Sequence, residues 1–312
     1  MKKIKKFLII GIFNFLYSIR LVIYFLESIL YSFSLNKKQK ITSIKTPLLI
    51  QRKKNICVFS HYDKNAIIQE YVVFYLKSIF EAGCNIIFVT TSPIDSVNQE
   101  KILEFSDHII IRENIGLDFC SYKIGIESIS DFDQYEKLIL ANDSVYGPFY
   151  PISELINFGE KDSLDIWGAT DSYELSYHIQ SYFLVFSQKA KASKKFDLFW
   201  RNVKSRRFKW SLIYEYEVGG SQYFLKNGFK LGALCSYDFI SRDIAINKIL
   251  EKMPNMTLSI WDHLIRENRY PFIKRMLLTI NPYNVNNKWM LVVQENTNYN
   301  PDLILKSIEK SV

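Results

Sequence analysis

Short apolar runs alternate with longer amphipathic stretches between residues 55 and 141. Apolar runs bounded by polar residues are typical of strands buried on both faces, and apolar residues every three or four positions are typical of helices. The strands predicted in this way cover residues 56–60, 85–90, 108–111 and 138–141, and the helices cover 66–82, 97–105 and 119–129. Strands that alternate with helices form parallel sheets through right-handed crossovers, so the pattern predicts a doubly wound α/β domain.

The alternation becomes weaker after residue 142. Further strands are predicted at 164–169 and 182–186, and further helices at 188–203, 221–227, 261–266 and 273–278. These elements extend the predicted domain from residue 55 to residue 285, leaving residues 286–312 as a C-terminal tail. Residues 1–54 form a separate N-terminal segment with a helix and a basic linker.

The N-terminal segment contains a strongly apolar stretch at residues 7–33, interrupted by Asn14, Arg20 and Glu27. Their spacing of six and seven places them near one stripe of a helix whose remaining surface is apolar. The run before Arg20 is shorter than the roughly 20 residues that a spanning helix needs. We therefore expect a helix that lies on the membrane. The alternative is a helix that docks on the protein's own core or at an oligomer interface.

The formal net charge of +8 is concentrated in the same segment. Residues 1–54 contain twelve Lys or Arg and one acidic residue, whereas residues 55–312 contain 28 basic and 31 acidic residues. The slightly acidic body argues against nucleic acid as a partner, because nucleic-acid-binding proteins present a broad basic surface. Basic residues on both sides of the helix instead favour the anionic inner face of the cytoplasmic membrane.

Familiar catalytic and metal-binding motifs are absent from the sequence. The four cysteines form no CxxC pair, which predicts buried free thiols without a zinc site or a disulfide framework. The chain also lacks the glycine-rich dinucleotide fingerprint, the P-loop, the HExxH motif and the GxSxG motif. The remaining candidate chemistry consists of carboxylates and amides at the ends of predicted strands.

Three carboxylates follow predicted strands of the sheet: Asp63, Asp118 and Asp143. The carboxyl ends of parallel strands meet at one edge, so these acids should face one crevice that binds a ligand. Asp143 suits a divalent cation that bridges to a pyrophosphate. The alternative for each acid is a helix cap or a turn. The residues expected to contact a nucleotide are His61, Tyr62, Asp63, Asn114, Gly116, Asp118, Asn142 and Ser144.

A general base is expected in the second half of the domain, where an acceptor would bind. Glu217 is the leading candidate, because it precedes a glycine pair and a predicted helix. Asp171 and His178 are rival candidates. The spacing fits equally well if Glu217 is only an exposed carboxylate near the start of a helix. A single histidine such as His178 more often has a structural role than a catalytic one.

Six short strings follow one another in a distinctive order: HYD at 61–63, ENIGLD at 113–118, NDSVYGP at 142–148, IWG at 166–168, HIQSYF at 178–183 and PFIK at 271–274. Together they resemble the rhamnan synthesis protein F family, whose members are glycosyltransferase-like proteins of bacterial surface polysaccharide and lipopolysaccharide assembly. A weaker similarity runs to the large family-two glycosyltransferases. In those enzymes an Asp-x-Asp metal site follows a hydrophobic strand, whereas here Asn142 precedes Asp143 and one carboxylate is missing.

The resemblance implies a GT-A-like, Rossmann-related α/β fold with a mostly parallel sheet flanked by helices. It also implies a nucleotide-sugar donor, with dTDP-rhamnose as the leading expectation, and a weakly held Mg²⁺ or Mn²⁺ at Asp143. The acceptor would be a lipid-linked oligosaccharide, the transfer would be inverting, and other polysaccharide-assembly enzymes would be partners. The rival hypothesis is a non-catalytic, membrane-bound scaffold of the assembly complex, which the missing carboxylate favours.

Overall fold

The computed structural model describes residues 22–27, 40–45, 52–285 and 288–310. Within these residues a central sheet has the strand order β1-β4-β3-β2-β5-β9-β7-β10, with β8 paired to β7, and β6 and β11 form a small separate sheet. The strands are β1 (Ile41–Lys45), β2 (Asn55–His61), β3 (Cys84–Thr90), β4 (His108–Arg112), β5 (Lys137–Asn142), β6 (Val145–Tyr146), β7 (Ile166–Ser172), β8 (His178–Ile179), β9 (Phe183–Phe186), β10 (Leu231–Cys235) and β11 (Ile273–Lys274).

The central sheet is mostly parallel. Strands β4, β3, β2 and β5 are parallel neighbours, and β10 is parallel to β7. Strand β9 runs antiparallel between β5 and β7, and β1 is antiparallel to β4 at the edge. Every residue of β2, β3 and β5 is buried, which explains why their sequences are continuous apolar runs rather than alternating ones.

Helices cover both faces of the sheet and bury two apolar cores. Along β2, Cys57 and Phe59 point into one core, while Ile56 and Val58 point into the other. The helices are α1 (Glu70–Glu81), α2 (Ser96–Leu103), α3 (Leu117–Glu127), α4 (Ile152–Lys161), α5 (Gln188–Lys191), α6 (Lys194–Asn202), α7 (Lys209–Leu212), α8 (Gly219–Lys226), α9 (Tyr237–Ile240), α10 (Ile244–Leu250), α11 (Met256–Ser259), α12 (Trp261–Asn268), α13 (Arg275–Thr279), α14 (Trp289–Asn296) and α15 (Asp302–Glu309). A π-helical turn (Ile213–Val218) joins α7 to α8. The predicted α/β fold, a mostly parallel sheet flanked by helices, is confirmed.

Three helix predictions need correction. The helix predicted at 66–82 begins only at Glu70, because the chain turns at Asp63 and Ala66 has a φ of 56°. The helix predicted at 188–203 is two helices, because the Ser193 side chain caps a new helix by accepting from Phe196 N. The helix predicted at 273–278 begins as strand β11, which pairs with β6.

The predicted domain boundaries at residues 54 and 285 remain predictions, and both outer segments contact the domain. Strand β1 lies in the N-terminal segment and extends the sheet. In the C-terminal tail, Trp289, Val293 and Ile304 are buried in the core. All four cysteines are buried and free, as predicted.

Residues 22–27 of the predicted N-terminal helix are helical and lie against the domain. Glu27 is buried, and its carboxylate accepts hydrogen bonds from the backbone N–H groups of Arg207 and Phe208. The Tyr24 ring lies 5.2 Å from the Tyr214 ring. The rest of that predicted helix and Lys2 to Lys6 lie outside the described residues. No helix within the described ranges is long and apolar enough to cross a membrane.

Candidate functional site

The loop after β4 is held by the buried guanidinium of Arg112. It donates hydrogen bonds to the carbonyl oxygens of Glu113, Ile115 and Leu117 at 3.0, 2.6 and 2.6 Å. Gly116 has a φ of 82°, and a Cβ there would overlap Cys120 Sγ, so this position requires glycine. The loop therefore ends in a fixed geometry that places the next carboxylate in the first turn of α3.

That carboxylate, Asp118, meets the ends of two neighbouring strands. It accepts hydrogen bonds from Ser60 Oγ at 3.1 Å and from Asn142 Nδ2 at 3.3 Å. Burial and the nearby Asp143 raise the pKa of Asp118, whereas the positive charge of Lys209 opposes that rise. The structure thus brings together the strand-end acids Asp118 and Asp143, as the sequence pattern predicts.

Asn142, Asp143 and Ser144 form a tight turn after β5. The Asn142 side-chain oxygen accepts from Ser144 N at 3.1 Å and from Ser144 Oγ at 2.6 Å. Asp143 Oδ2 accepts from Tyr62 N at 3.3 Å and lies 3.5 Å from Arg275 Nη1. Burial raises the pKa of Asp143 to about 6, and the Arg275 guanidinium opposes that rise.

The small β6–β11 sheet brings Lys274 and Arg275 to this turn. Lys274 pairs with Val145 across the two strands, and Arg275 N donates to the Ser144 carbonyl oxygen at 2.9 Å. The PFIK string contributes to the family resemblance, but local sequence alone predicts no binding role for Lys274 or Arg275. The signal was two consecutive cations directly after a conspicuous apolar pair, Phe272 and Ile273.

Lys274 is partly buried near both acidic parts of the site, of which the first contains Asp118 and Asp143 and the second contains Glu217. Its Nζ lies 3.6 Å from the centroid of the Tyr182 ring. Burial lowers the pKa of Lys274 to about 7, and the charges of Glu217 and Asp118 oppose that lowering. Lys274 forms neither a hydrogen bond nor an ion pair with any residue in the described ranges, so its ammonium is free to bind an anion.

The second acidic part surrounds Glu217, which lies on the π-helical turn. π-Helical turns are rare and are frequent at functional sites. Glu217 Oε2 accepts from Ser181 N at 2.8 Å and from Ser181 Oγ, and Oε1 lies 3.6 Å from His178 Nε2. His178 Nδ1 in turn lies 2.8 Å from the Ser176 carbonyl oxygen. Two predicted catalytic residues, Glu217 and His178, are therefore in direct contact.

The third predicted base, Asp171, has different neighbours. Its Oδ1 accepts from Tyr237 N at 2.6 Å. Burial raises the pKa of Asp171 to about 6, and the nearby Asp238 acts in the same direction. The Asp171 carboxylate thus has Tyr237, Asp238 and Tyr177 as neighbours, although the backbone of Asp171 pairs with Ile179, the residue after His178.

The residues predicted to contact the base and the ribose of a nucleotide differ in their exposure and in their hydrogen bonds. Asp63 forms a turn, accepting from Asn65 N at 2.8 Å and from the side chain of Gln69 at 3.2 Å. His61 is buried, and its Nδ1 lies 3.0 Å from Thr90 Oγ1. Tyr62 is half exposed beside Asp143, and Asn114 is exposed on the loop before α3. The turn alternative therefore describes Asp63 well, whereas Tyr62 is open to a ligand.

The divalent cation expected at Asp143 does not fit these polar groups as they lie. The Asp143 carboxylate already faces the Arg275 guanidinium, and a second cation beside it would be repelled. The Asn142 amide offers its NH₂ group to Asp118 and its oxygen to Ser144, so neither end is turned outwards as a ligand.

Curated relatives match part of the chain. A virulence protein of Vibrio anguillarum, VirA, is 30% identical over 199 residues, which cover 56% of this chain and 64% of that protein. An uncharacterised protein of Sinorhizobium fredii is 27% identical over 164 residues, covering 51% of this chain and 43% of that protein. The chain thus spans about half the length of the curated relatives that it matches.

Among solved structures, the glycosyltransferase GlyE of Streptococcus pneumoniae aligns with 84% of this chain and 64% of its own, at 14% identity and a TM-score of 0.42. The model of the rhamnan synthesis protein F family matches residues 86–312, which include both acidic parts of the site, Lys274 and Arg275. The resemblance inferred from the six strings is confirmed, and the chain belongs to the rhamnan synthesis protein F family.

Proposed function

We propose that this chain is a glycosyltransferase of surface-polysaccharide synthesis. It moves a sugar, with rhamnose as the leading candidate, from a nucleoside diphosphate to a lipid-linked glycan. Membership of the rhamnan synthesis protein F family supports the reaction class. The observation that carries the proposal is the position of Lys274. It pairs with Val145, directly after the turn at residues 142–144, and its Nζ lies 3.6 Å from the ring centroid of Tyr182, the residue after the Ser181 that holds Glu217. A donor diphosphate at Lys274 would thus lie between a nucleotide-binding part and a candidate base.

In the proposed transfer, an acceptor hydroxyl attacks the anomeric carbon while the bond from that carbon to the diphosphate oxygen breaks. The hydroxyl proton passes to Glu217, and the electron pair of the broken bond stays on the departing diphosphate. Direct displacement of this kind inverts the configuration and needs one base. Ser181 and His178 act as positioning residues, because they hold the two carboxylate oxygens of Glu217.

The nucleotide is assigned to the edge formed by β2, α3 and β5. Ligands of open α/β sheets bind outside the carboxyl ends of the strands, which is where Asp118 and Asn142 lie. Asp118 would accept from a ribose hydroxyl. The half-exposed Tyr62 ring would stack on the base.

A transfer assay with the full chain tests the proposal. Labelled dTDP-rhamnose and a panel of UDP-sugars are incubated with the protein and lipid-linked oligosaccharides extracted from bacterial membranes. We expect label from at least one donor to enter the lipid fraction. A folded protein that transfers nothing and binds neither dTDP nor UDP would instead support the non-catalytic scaffold.

The inner face of the cytoplasmic membrane is the proposed location of this activity. On the helical residues 22–27, Glu27 and Tyr24 face the domain, whereas Val22, Phe25 and Leu26 are 57, 63 and 53% exposed. The same short helix contacts the π-helical turn that carries Glu217. Insertion of its apolar side chains into a bilayer would bring lipid-linked acceptors close to the candidate base.

Flotation with vesicles that contain anionic phosphatidylglycerol tests this location. The double substitution Phe25→Ser and Leu26→Ser removes exposed apolar side chains, so it should reduce the bound fraction about tenfold without loss of stability. Ile244→Ser is the matched control, because Ile244 is 74% exposed elsewhere on the domain. Equal flotation of all three proteins would favour a helix that only docks on the protein's own core.

A further inference from the structure

A side-chain cation of the protein, the guanidinium of Arg275, already faces Asp143, the residue predicted to bind a metal ion. Arg275 Nη1 lies 3.5 Å from Asp143 Oδ2 and 3.3 Å from the Asp143 carbonyl oxygen. The guanidinium also lies 5.7 Å from the centroid of the Tyr71 ring. Tyr71 OH donates to the same Asp143 carbonyl oxygen at 3.2 Å. Arg275 is thus fixed in place at the position where a cation on Asp143 would be.

Lys274 adds a second cation whose ammonium has no anionic partner among the described residues. It lies on β11, one residue before Arg275, and its Nζ lies over the Tyr182 ring. An ammonium carries three donors, and an aromatic face satisfies none of them as a carboxylate or phosphate oxygen would. The Lys274 ammonium is therefore suited to bind an anion that is not part of the protein.

The surroundings of Lys274 indicate what kind of anion fits. The carboxylates of Asp118 and Glu217 are both near enough for their charges to act on Lys274, and Lys209 adds a further positive charge. An anion bound at Lys274 must also tolerate two carboxylates in its neighbourhood. A diphosphate does so when two or three cations neutralise it, which is the usual role of a metal ion in such sites.

We infer that Lys274 and Arg275 hold the diphosphate of the donor in place of a divalent cation, so that transfer proceeds without a metal ion. The inference rests on the proposed function and specifies how its donor is bound. Arg275, oriented by Asp143, would form paired hydrogen bonds to phosphate oxygens. Lys274 would contact the distal phosphate, whose oxygen gains negative charge as the bond to the sugar breaks.

Calorimetric titration of the full chain tests the inference without any variant. We expect dTDP or UDP to bind in EDTA with a Kd within about twofold of the value in excess Mn²⁺, because side-chain cations supply the charge. Binding that requires Mn²⁺ and disappears in EDTA would overturn the inference while leaving the proposed function standing. If the folded protein binds neither nucleotide under either condition, both fail.

Lys274→Met then tests the contact itself, because it keeps the length of the side chain and removes the charge. It should weaken binding of the nucleoside diphosphate about tenfold or more, and binding of the corresponding monophosphate less than twofold. Equal losses with both nucleotides would indicate a merely structural role and contradict the inference. Lys274→Arg should restore part of the diphosphate affinity. Lys248→Met, at an exposed lysine on α10, is the matched control, and circular dichroism checks the fold of each variant.

Discussion

The two acidic parts of the site hold their carboxylates in contrasting ways. Asp143 faces the guanidinium of Arg275, so a protein cation balances its charge. Glu217 is instead held by the backbone and hydroxyl of Ser181 and by the His178 ring. A carboxylate committed to a cation is suited to orienting that cation. A carboxylate held by the uncharged N–H and hydroxyl groups of Ser181 keeps its charge available for a proton, so the chemistry of each acid follows from its partners.

The largest effect is expected from Glu217→Gln. The amide keeps the shape and still accepts from Ser181, but it cannot take the acceptor proton. Transfer should fall on the order of 10³-fold, whereas the Kd for dTDP or UDP should change less than twofold. Initial rates and calorimetry measure the two quantities. Glu136→Gln, at an exposed glutamate, is the control. Normal turnover of Glu217→Gln would remove this residue from the mechanism.

Gly116→Ala should destabilise the loop that positions Asp118 in the first acidic part. The φ of 82° strains an alanine, and its Cβ would overlap Cys120 Sγ and come within 2.9 Å of Ser205 Cα. We expect the free energy of unfolding to fall by about 3 kcal/mol, measured by urea denaturation. Gly83 is the matched control, because its φ is 86° and no atom lies within 4 Å of a Cβ there.

Gly83→Ala should therefore lose only the conformational part, about 1 kcal/mol. Equal losses at the two glycines would mean that the crowding around the loop of Asp118 contributes nothing to stability. That result would weaken the case for a rigid nucleotide-binding edge.

A smaller effect than at Gly116 is expected from Asp171→Asn, which tests the rival base. Burial raises the pKa of Asp171 from 3.8 to about 6, so the folded protein binds this proton more tightly than the unfolded chain does. The ionised carboxylate therefore destabilises the fold above pH 6, and the cost disappears below pH 3.8.

Asp171→Asn should accordingly raise the free energy of unfolding by about 2 kcal/mol at pH 7.5 and change it little near pH 4. Urea denaturation at both pH values measures the difference. Transfer should be nearly unchanged, because the Asp171 carboxylate is bound to Tyr237 N rather than directed at Lys274 or Glu217. Loss of transfer in this variant, with normal turnover of Glu217→Gln, would move the base to Asp171.

Much of the framework could be predicted from local sequence. The buried strands β2, β3, β4 and β5 are continuous apolar runs, so their positions were predicted to within one residue at each end. The meeting of Asp118 and Asp143 followed from parallel strands that end at one edge. Helix starts were harder to predict, because a turn at Asp63 and a cap at Ser193 interrupt otherwise helical patterns.

The chemistry of the site depended on contacts that local sequence does not encode. Asp63 has the same residue type and strand-end position as Asp143, yet its oxygens are used by its own turn. Glu217 and Ser181 are 36 residues apart and meet only because the π-helical turn packs beside β8. No periodicity in the sequence distinguishes these cases.

The sequence by itself determined the α/β framework, the family and the placement of two acids at one edge of the sheet. Hydrophobic periodicity and strand direction are local properties, and they are sufficient for those conclusions. Only the tertiary structure decided which charges face these acids. Arg275 lies 132 residues after Asp143 and reaches it because β11 pairs with β6. Such pairing depends on how the whole domain packs, and it changed Asp143 from an expected metal ligand into the partner of an arginine.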